Sequence, residues 1–480
     1  MQLLNLIPAI PEIFLLIMSC LILMQGVFSK NPSSRTPFYL SQITLLLVAI
    51  STWHVFYLLG STTIYAFHSM FILDRLSVTL KIFIAISMMV TFWYSHWYNE
   101  NNGIPANEFY VLGLLATLGM MILVSSGNFI SLFLGVELMS LPIYAMVALM
   151  RGKSRCIEAA MKYFIMGAVA SGILLYGLSL FFGATHTLSI LSVSQMISAT
   201  PANHSLILYF GLTFVITGIA FKLGAAPFHV WVPDVYDGAP NSVTLLISTA
   251  PKLAAFGLVI RFLSGFAPGL HVQWDHVLIV IALLSIAIGN VVAIVQTNIK
   301  RLLAYSSIAH IGYLFLGLAC GTARGNAAAF FYMITYVLTS LGAFGIIALL
   351  SKSGFEANEL SDFSGLSARQ PWMALMMLLM MFSLAGIPPL VGFMSKVMIL
   401  EALIKDHSIW LAVIAIIFSI IGVYYYIRVV KVMYFENPRQ AFPAVSIPRN
   451  VTVAMSVNGL LILLLGIFPT QLFLLCHAIF

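Results

Sequence analysis

The chain has 480 residues, of which 61% are hydrophobic and only 8% charged, against about 25% charged in an average soluble domain. That composition excludes a water-soluble fold, and no stretch is polar enough to form a soluble domain beside a membrane part. A net charge of +7 would suit nucleic acid, but the basic residues stand in short polar breaks between apolar runs, where membrane topology explains them and no nucleic acid is expected.

A helix that crosses a bilayer takes roughly 20 mostly apolar residues. Runs of that kind lie near 3–28, 37–60, 70–94, 109–125, 128–150, 157–183, 205–238, 241–265, 276–296, 300–320, 326–350, 371–405, 408–434 and 450–476. They predict an all-α polytopic membrane protein of about fourteen spans. The first run has no basic residue before it and carries Glu12, so it reads as a span rather than a cleaved signal peptide. Cys20, Cys156, Cys320 and Cys476 are far apart and form no C-x-x-C pair. They read as small buried apolar residues rather than ligands of an iron–sulfur cluster, and no metal or cofactor is expected in the chain.

Lys30, Arg35, Arg151, Lys153, Arg155, Lys300, Arg301, Lys352, Arg369, Lys431, Arg439 and Arg449 all fall at connections after odd-numbered spans. The other connections hold little beyond Arg261, Arg324 and Lys405. Because lysine and arginine accumulate on the cytoplasmic side, these connections face the cytoplasm and both termini face the opposite side.

Two spans are long and interrupted: the seventh around Gly224 to Pro227, the twelfth around Gly386, Ile387, Pro388 and Pro389. Matching interruptions in two halves mark an internal repeat with a site near the bilayer midplane. The interruptions are five spans apart, an odd number, so a five-helix repeat would invert between its copies. The expected organisation is helices 1–3 in residues 1–108, a first repeat of spans 4–8 in 109–265, an inverted repeat of spans 9–13 in 276–434, and a last helix in 450–480.

Four charges lie well inside these spans: Glu137 in the fifth, Lys222 in the seventh, Lys252 in the eighth and Lys396 in the twelfth. At a helix centre each costs roughly 2.5 to 3.5 kcal/mol on insertion scales, so each needs a reason. A Glu137–Lys222 salt bridge that only locks two helices is one reason. The other is a pair whose separation drives proton uptake and release. Lys252 and Lys396 favour the second, because a lysine without a carboxylate in a low-dielectric interior is a plausible proton carrier. His229, after the seventh-span break, and His310, in the tenth span, could relay protons or simply hold one neighbour each. Nothing pairs them as haem ligands. Glu401 and Lys162 lie nearer span ends, where snorkelling explains them. Sodium transport would call for carboxylate and carbonyl oxygens, whereas the embedded set is mainly lysine and suits protons.

The stretches LFLGVELMSLPIYAMVAL, FKLGAAPFHVWVPDVYDGAP, SVTLLISTAPKLAAFGLVIRF, KRLLAYSSIAHIGYLFLGL and FSLAGIPPLVGFMSKVMIL closely resemble the antiporter-like membrane subunits of respiratory complex I. The resemblance covers nearly the whole chain, with several motifs in order. It implies a fourteen-helix core of two inverted five-helix repeats, each a proton half-channel, with Glu137 and Lys222 as the charged pair, Lys252 as the connecting residue and Lys396 as the lysine of the second repeat. It also implies that NADH, FMN, iron–sulfur clusters and quinone belong to other subunits, and that the partners are other antiporter-like membrane subunits within the bacterial inner membrane. The chain shows no long lateral amphipathic helix after span fourteen, which disfavours the outermost member of the group. A cation/proton antiporter or membrane-bound hydrogenase subunit, a self-contained secondary transporter and a structural scaffold remain open at this stage.

Overall fold

The computed structural model describes residues 6–29, 35–199, 206–266, 270–352, 354–437 and 447–480; Lys30 and Arg439 of the topology reading lie outside them. Among the described residues thirteen helices are long and apolar enough to cross a membrane. The remaining expected span, the twelfth, is present as two halves, so the fourteen-span reading holds.

The chain forms two compact units. The first comprises Met1–Phe92, Gly103–Leu223 and Ala250–Trp274. It holds α1 (Ile10–Phe28), α2 (Arg35–Leu58), a hairpin of β1 (Ile64–Ala66) and β2 (Phe71–Leu73), most of α3 (Arg75–Asn102), α4 (Ala106–Val124), α5 (Phe129–Val147), α6 (Ser154–Thr185), the short α7 (Ile190–Ala199), α8 (Leu206–Leu223) and α11 (Ala250–Ile260). β1 and α7 fall where the sequence showed only polar breaks, whereas β2 takes up the start of the expected span 70–94, so that its helix begins at Arg75. In this unit α4 packs along α5 and α6 along α8. Small residues permit the approach: a Cβ on Gly135 would come 2.8 Å from Leu123 Cα, the close helix contact that membrane interiors favour in place of a hydrophobic driving force.

The second unit comprises Trp93–Asn102, Gly224–Thr249 and Asp275–Phe480. It holds the end of α3, then α9 (Trp231–Gly238), α10 (Asn241–Ile247), most of α12 (His271–Ile294), α13 (Ile299–Ala319), α14 (Ala323–Leu350), the short α15 (Leu366–Arg369), α16 (Pro371–Ala385), α17 (Val391–Lys405), α18 (Ile409–Phe435), α19 (Arg449–Ile467) and α20 (Thr470–His477). Here α9 packs against α13 and α10 against α14. The last expected span is shorter than its apolar run: α19 stops at Ile467 and α20 restarts after Pro469.

Both expected interruptions are present. Gly224 (φ +77°) follows the last residue of α8, and Gly386 (φ +82°) caps α16, a left-handed geometry that glycine alone adopts freely. A third interruption was not expected. The eighth span, read from the sequence as continuous over 241–265, breaks at Ser248 and Thr249 between α10 and α11. Pro251 has no N–H to offer the Ile247 carbonyl four residues back, and beside the break the hydroxyls of Ser248 and Thr249 donate to the Leu245 carbonyl at 2.9 and 2.8 Å.

The two units carry matching marks. In the first, Asn128 caps α5 by accepting from the Ile130 N–H and bridges to Ser189. In the second, Asn298 caps α13 by accepting from the Lys300 and Arg301 N–H groups and bridges to Glu359. The separations are equal, from 128 to 189 and from 298 to 359.

At the rim of the first unit Asp74 takes a two-pronged ion pair from Arg261, at 2.6 and 2.7 Å, and Arg261 also donates to the Val124 carbonyl. Burial alone would raise the Asp74 carboxyl, but the Arg261 charge and hydrogen bonds from Arg261 and Ser77 outweigh it, and the carboxyl is held below its ordinary value. A folded-state value below the unfolded one contributes stability that is present above the unfolded value and lost as pH falls through the folded one. Asp74→Asn should therefore lower the thermal stability of the purified protein at neutral pH and flatten the part of its pH dependence lying near and below about pH 4. An unchanged acid limb in the variant would show that the pair contributes nothing to the fold.

Candidate functional site

In the first unit the site grows from one face of α5. Glu137, Ser140 and Tyr144 are three and four residues apart in succession, so their side chains line one side of the helix. Lys222, the residue before the last of α8, reaches that face. Its Nζ donates to Ser140 Oγ at 2.9 Å and to Tyr144 Oη at 3.4 Å, and it lies 5.9 Å from the Tyr144 ring centre. The structure thus brings Lys222 to the helix that carries Glu137 without closing a direct ion pair. Glu137, one turn from Ser140 on the same face, has its Oε1 buried without a hydrogen-bond partner. Lys252 is 4% exposed and lies in the first turn of α11, just past the Ser248–Thr249 interruption. The residues 241–263 that contain it form the most enclosed span, fully buried over its most apolar stretch.

In the second unit the twelfth-span break makes the site directly. The Ala385 carbonyl would ordinarily accept from residue 389, but that residue is a proline with no N–H. Lys396 takes the vacant acceptor: its Nζ donates to Ala385 O at 2.8 Å and to Ser419 Oγ at 2.9 Å. Gly386 leaves room for it, since a Cβ there would meet Lys396 Cδ at 2.9 Å. Pro388 and Pro389 themselves are exposed, as is Pro227 in the other break.

Lys396 lies 5.4 Å from the centre of the Tyr313 ring, which stacks on Tyr332 at 6.2 Å. The Tyr332 hydroxyl meets His310 Nδ1 at 2.6 Å, and His310 Nε2 meets the Tyr426 hydroxyl at 3.0 Å. Tyr426 in turn meets Ser306 at 2.5 Å. Both ring nitrogens of His310 are therefore occupied by tyrosine hydroxyls. Beside them a small cavity of about 10 Å³ is lined by His310, Tyr332, Thr335, Thr339, Ser383 and Ser395, among others, space for one water at most. His229 is half-buried after the first break, with its ring edge-on to Tyr305 at 6.4 Å and its Nδ1 without a hydrogen-bond partner.

Lys162 and Glu401 stand at the surface in ion pairs, Lys162 with Glu158 at 2.9 Å and Glu401 with Lys405 at 2.5 Å. Sequence reasoning missed two buried charges of the first unit, Glu12 and Lys81, which pair at 2.6 Å with side chains 6% and 0% exposed. The available signal was a lysine inside the third apolar run with a glutamate inside the first, both entering from the same side. The tyrosines around His310 were also missed, because aromatic residues in a membrane chain read as packing. None of the four cysteines is in a disulfide, and no group of three or more His, Cys, Asp or Glu side chains that could hold a metal occurs among the described residues.

Residues 126–422 match the family described as NADH:quinone oxidoreductase/Mrp antiporter, TM. The chain is 57% identical to NADH-quinone oxidoreductase subunit N of Coxiella burnetii, covering 99% of each. It is 48% identical to the subunit of the same name from Herminiimonas arsenicoxydans, over 99% of this chain and 98% of that one. Its structure resembles a chain of respiratory complex I from Thermus thermophilus with bound aureothin, with TM-score 0.82, 30% identity and coverage of 98% of this chain and 100% of that one. The Mrp complex of Dietzia sp. contains a chain of the same fold, with TM-score 0.86, 19% identity and coverage of 99% and 97%.

If the Gly386 cradle sets the position of Lys396, then Gly386→Ala should move the amine off the Ala385 carbonyl, since the added Cβ meets the lysine stem and the backbone there has positive φ. A structure of the variant with the 2.8 Å contact intact would contradict this.

Proposed function

The chain belongs to the NADH:quinone oxidoreductase/Mrp antiporter family and is a proton-translocating membrane subunit of NADH-quinone oxidoreductase; from that premise we propose that its protons pass along the Glu137, Lys222, Lys252 and Lys396 chain. One observation carries the proposal: the lysines beside the two helix breaks rest on neutral oxygens. Lys222 has two hydroxyls, and Lys396 has a carbonyl and a hydroxyl. An ammonium clamped by a carboxylate is stabilised in its charged form. One held by neutral groups in a low-dielectric site can surrender its proton with less loss, and the nearby Glu137 charge sets when it does so. No covalent bond is made or broken in this chain beyond the N–H and O–H bonds of the moving protons.

The matched Asn128 and Asn298 caps, with their equal spans to a bridged partner, together with the Gly224 and Gly386 turns, support the reading of 109–265 and 276–434 as two inverted repeats, flanked by 1–108 and 450–480. His310 and its tyrosines would extend the second half-channel from Lys396, with His229 a candidate relay at the first break. The working complex includes other membrane subunits, among them further antiporter-like chains. NADH, FMN, iron–sulfur clusters and quinone would be bound by other subunits, so that quinone reduction elsewhere drives charge movement here. The chain is a multi-pass membrane protein with bacterial relatives. The bacterial inner membrane, with both termini away from the cytoplasm, is the placement that its loop charges favour.

Replacing Lys222 by Ala or Glu137 by Gln removes an interaction with a charged group worth about 1.5 to 3 kcal/mol. Proton pumping and coupled quinone reduction should fall roughly tenfold or more in complexes that still assemble, measured in inverted membrane vesicles. Normal pumping by assembled complexes carrying both changes would reject the route. Tyr332→Phe, which frees His310 Nδ1 while keeping the ring, should reduce pumping by a smaller factor, and unchanged turnover would remove the tyrosine–histidine branch alone.

A further inference from the structure

The lysine chain leaves one buried ionised cluster of the first unit unused. Lys81 on α3 is fully buried and pairs with Glu12 of α1 at 2.6 Å. Beyond that contact the Lys81 ammonium faces the Phe71 ring at 4.6 Å and has no further hydrogen-bond partner. Asp74, paired with Arg261, directly precedes α3, the helix that carries Lys81, and its side chain is 18% exposed. The cluster therefore runs from a partly open rim, at the foot of α3, to a sealed pair roughly 9 Å further along that helix.

Its placement relative to the lysine chain is specific. Arg261 directly follows α11, whose first turn carries Lys252, and the two are separated by roughly 13 Å of helical rise. Between them Gly257 brings α11 against α3: a Cβ on Gly257 would come 2.9 Å from Leu80 Cδ1, the residue before Lys81, and 2.8 Å from Val124 Cγ1. Lys252 and Arg261 thus stand at the two ends of a stretch whose middle, at Gly257, meets Leu80, the neighbour of Lys81. Glu12 lies in the first turn of α1, and α1 and α3, two spans apart, enter from the same side, which the loop charges make the non-cytoplasmic one.

A pair whose only role is to fasten helices is an expensive fastening. Replacing buried ion pairs with apolar residues of like volume is often neutral or stabilising by about 1 to 4 kcal/mol, and ionisable groups inside a membrane mark pathways by default. We propose that Glu12 and Lys81 are a proton-transfer pair forming the outlet of the first unit toward the rim at Asp74 and Arg261, an inference that rests on the lysine-chain reading above. Unlike Lys222 and Lys396, Lys81 meets a carboxylate, so its proton passes to that carboxylate itself: the Lys81 N–H bond breaks with its electron pair left on Nζ, an O–H bond forms at Glu12 Oε1, and the net charge of the pair stays zero. Release of that proton to water at the rim leaves Glu12 ionised and Lys81 neutral until Lys81 takes the next proton from the Lys252 side. Asp74 and Arg261 stay ionised throughout and keep the rim polar.

The discriminating variant is Lys81→Arg in the intact complex. Arginine keeps the positive charge and the pairing with Glu12, but it does not give up its proton. The complex should assemble, while protons pumped per electron and coupled quinone reduction fall several-fold. Normal pumping by assembled Lys81→Arg complexes overturns the proposal. Should that variant fail to assemble, the double variant Glu12→Gln/Lys81→Met is measured instead: assembly with reduced pumping supports the outlet, whereas assembly with full pumping, or failure of both variants to assemble, makes the pair a fastening and overturns it. Lys222→Ala measured in parallel separates the two readings. If it too pumps normally, the lysine chain itself falls; if it loses pumping while Lys81→Arg does not, only the outlet falls.

Discussion

The structure depends on how an amine is accommodated inside a low-dielectric interior. A lysine that enters the interior must find oxygen acceptors, and in the second unit a broken helix supplies one. At Lys396 a proline removes the donor that would have occupied the Ala385 carbonyl, and the amine takes that acceptor. The break is thus the cause of the site rather than a bend beside it. A helix without Pro389 would satisfy Ala385 internally and leave the lysine without that acceptor.

The first unit uses a different device for the same end. Lys222 sits at the end of α8 and borrows hydroxyls from α5, the helix that carries Glu137. Helix periodicity puts acceptor and modulator on one face, so a small shift of α5 against α8 would change both contacts to the lysine together. The glycines that let α5 approach its neighbour α4 hold this face in place. In the second unit the corresponding polar surface is built from tyrosines and one histidine, every donor of which is matched to an oxygen or a ring nitrogen.

The buried ions differ in kind from these lysines. Asp74 and Arg261 meet through two parallel bonds and a backbone carbonyl, the geometry in which attraction offsets desolvation best. Glu12 and Lys81 meet through one contact between almost wholly buried side chains, where fewer bonds offset the desolvation. The outlet proposal rests on this contrast between a fully bonded pair and a sparsely bonded one, a few residues apart on the same helix entry.

Much was determined by the sequence alone. Fourteen apolar runs, the glycine and proline interruptions and the basic connections follow from local composition, because span length and helix breaking are properties of short segments. Glu137, Lys222, Lys252 and Lys396 were visible for the same reason, as single charges in oil. What only the tertiary structure decided was partnership. No pattern along the chain says that Lys222 rests on Ser140 and Tyr144, that Lys396 occupies the Ala385 carbonyl, that two tyrosines from separate helices hold His310, or that Glu12 neutralises Lys81 from a different span. These contacts join residues from 11 to 116 positions apart, and they are fixed by which helix faces meet. The break at Ser248 and Thr249 lay between these cases: Pro251 was legible, but only the folded chain shows that the helix parts there and not at a kink within one span.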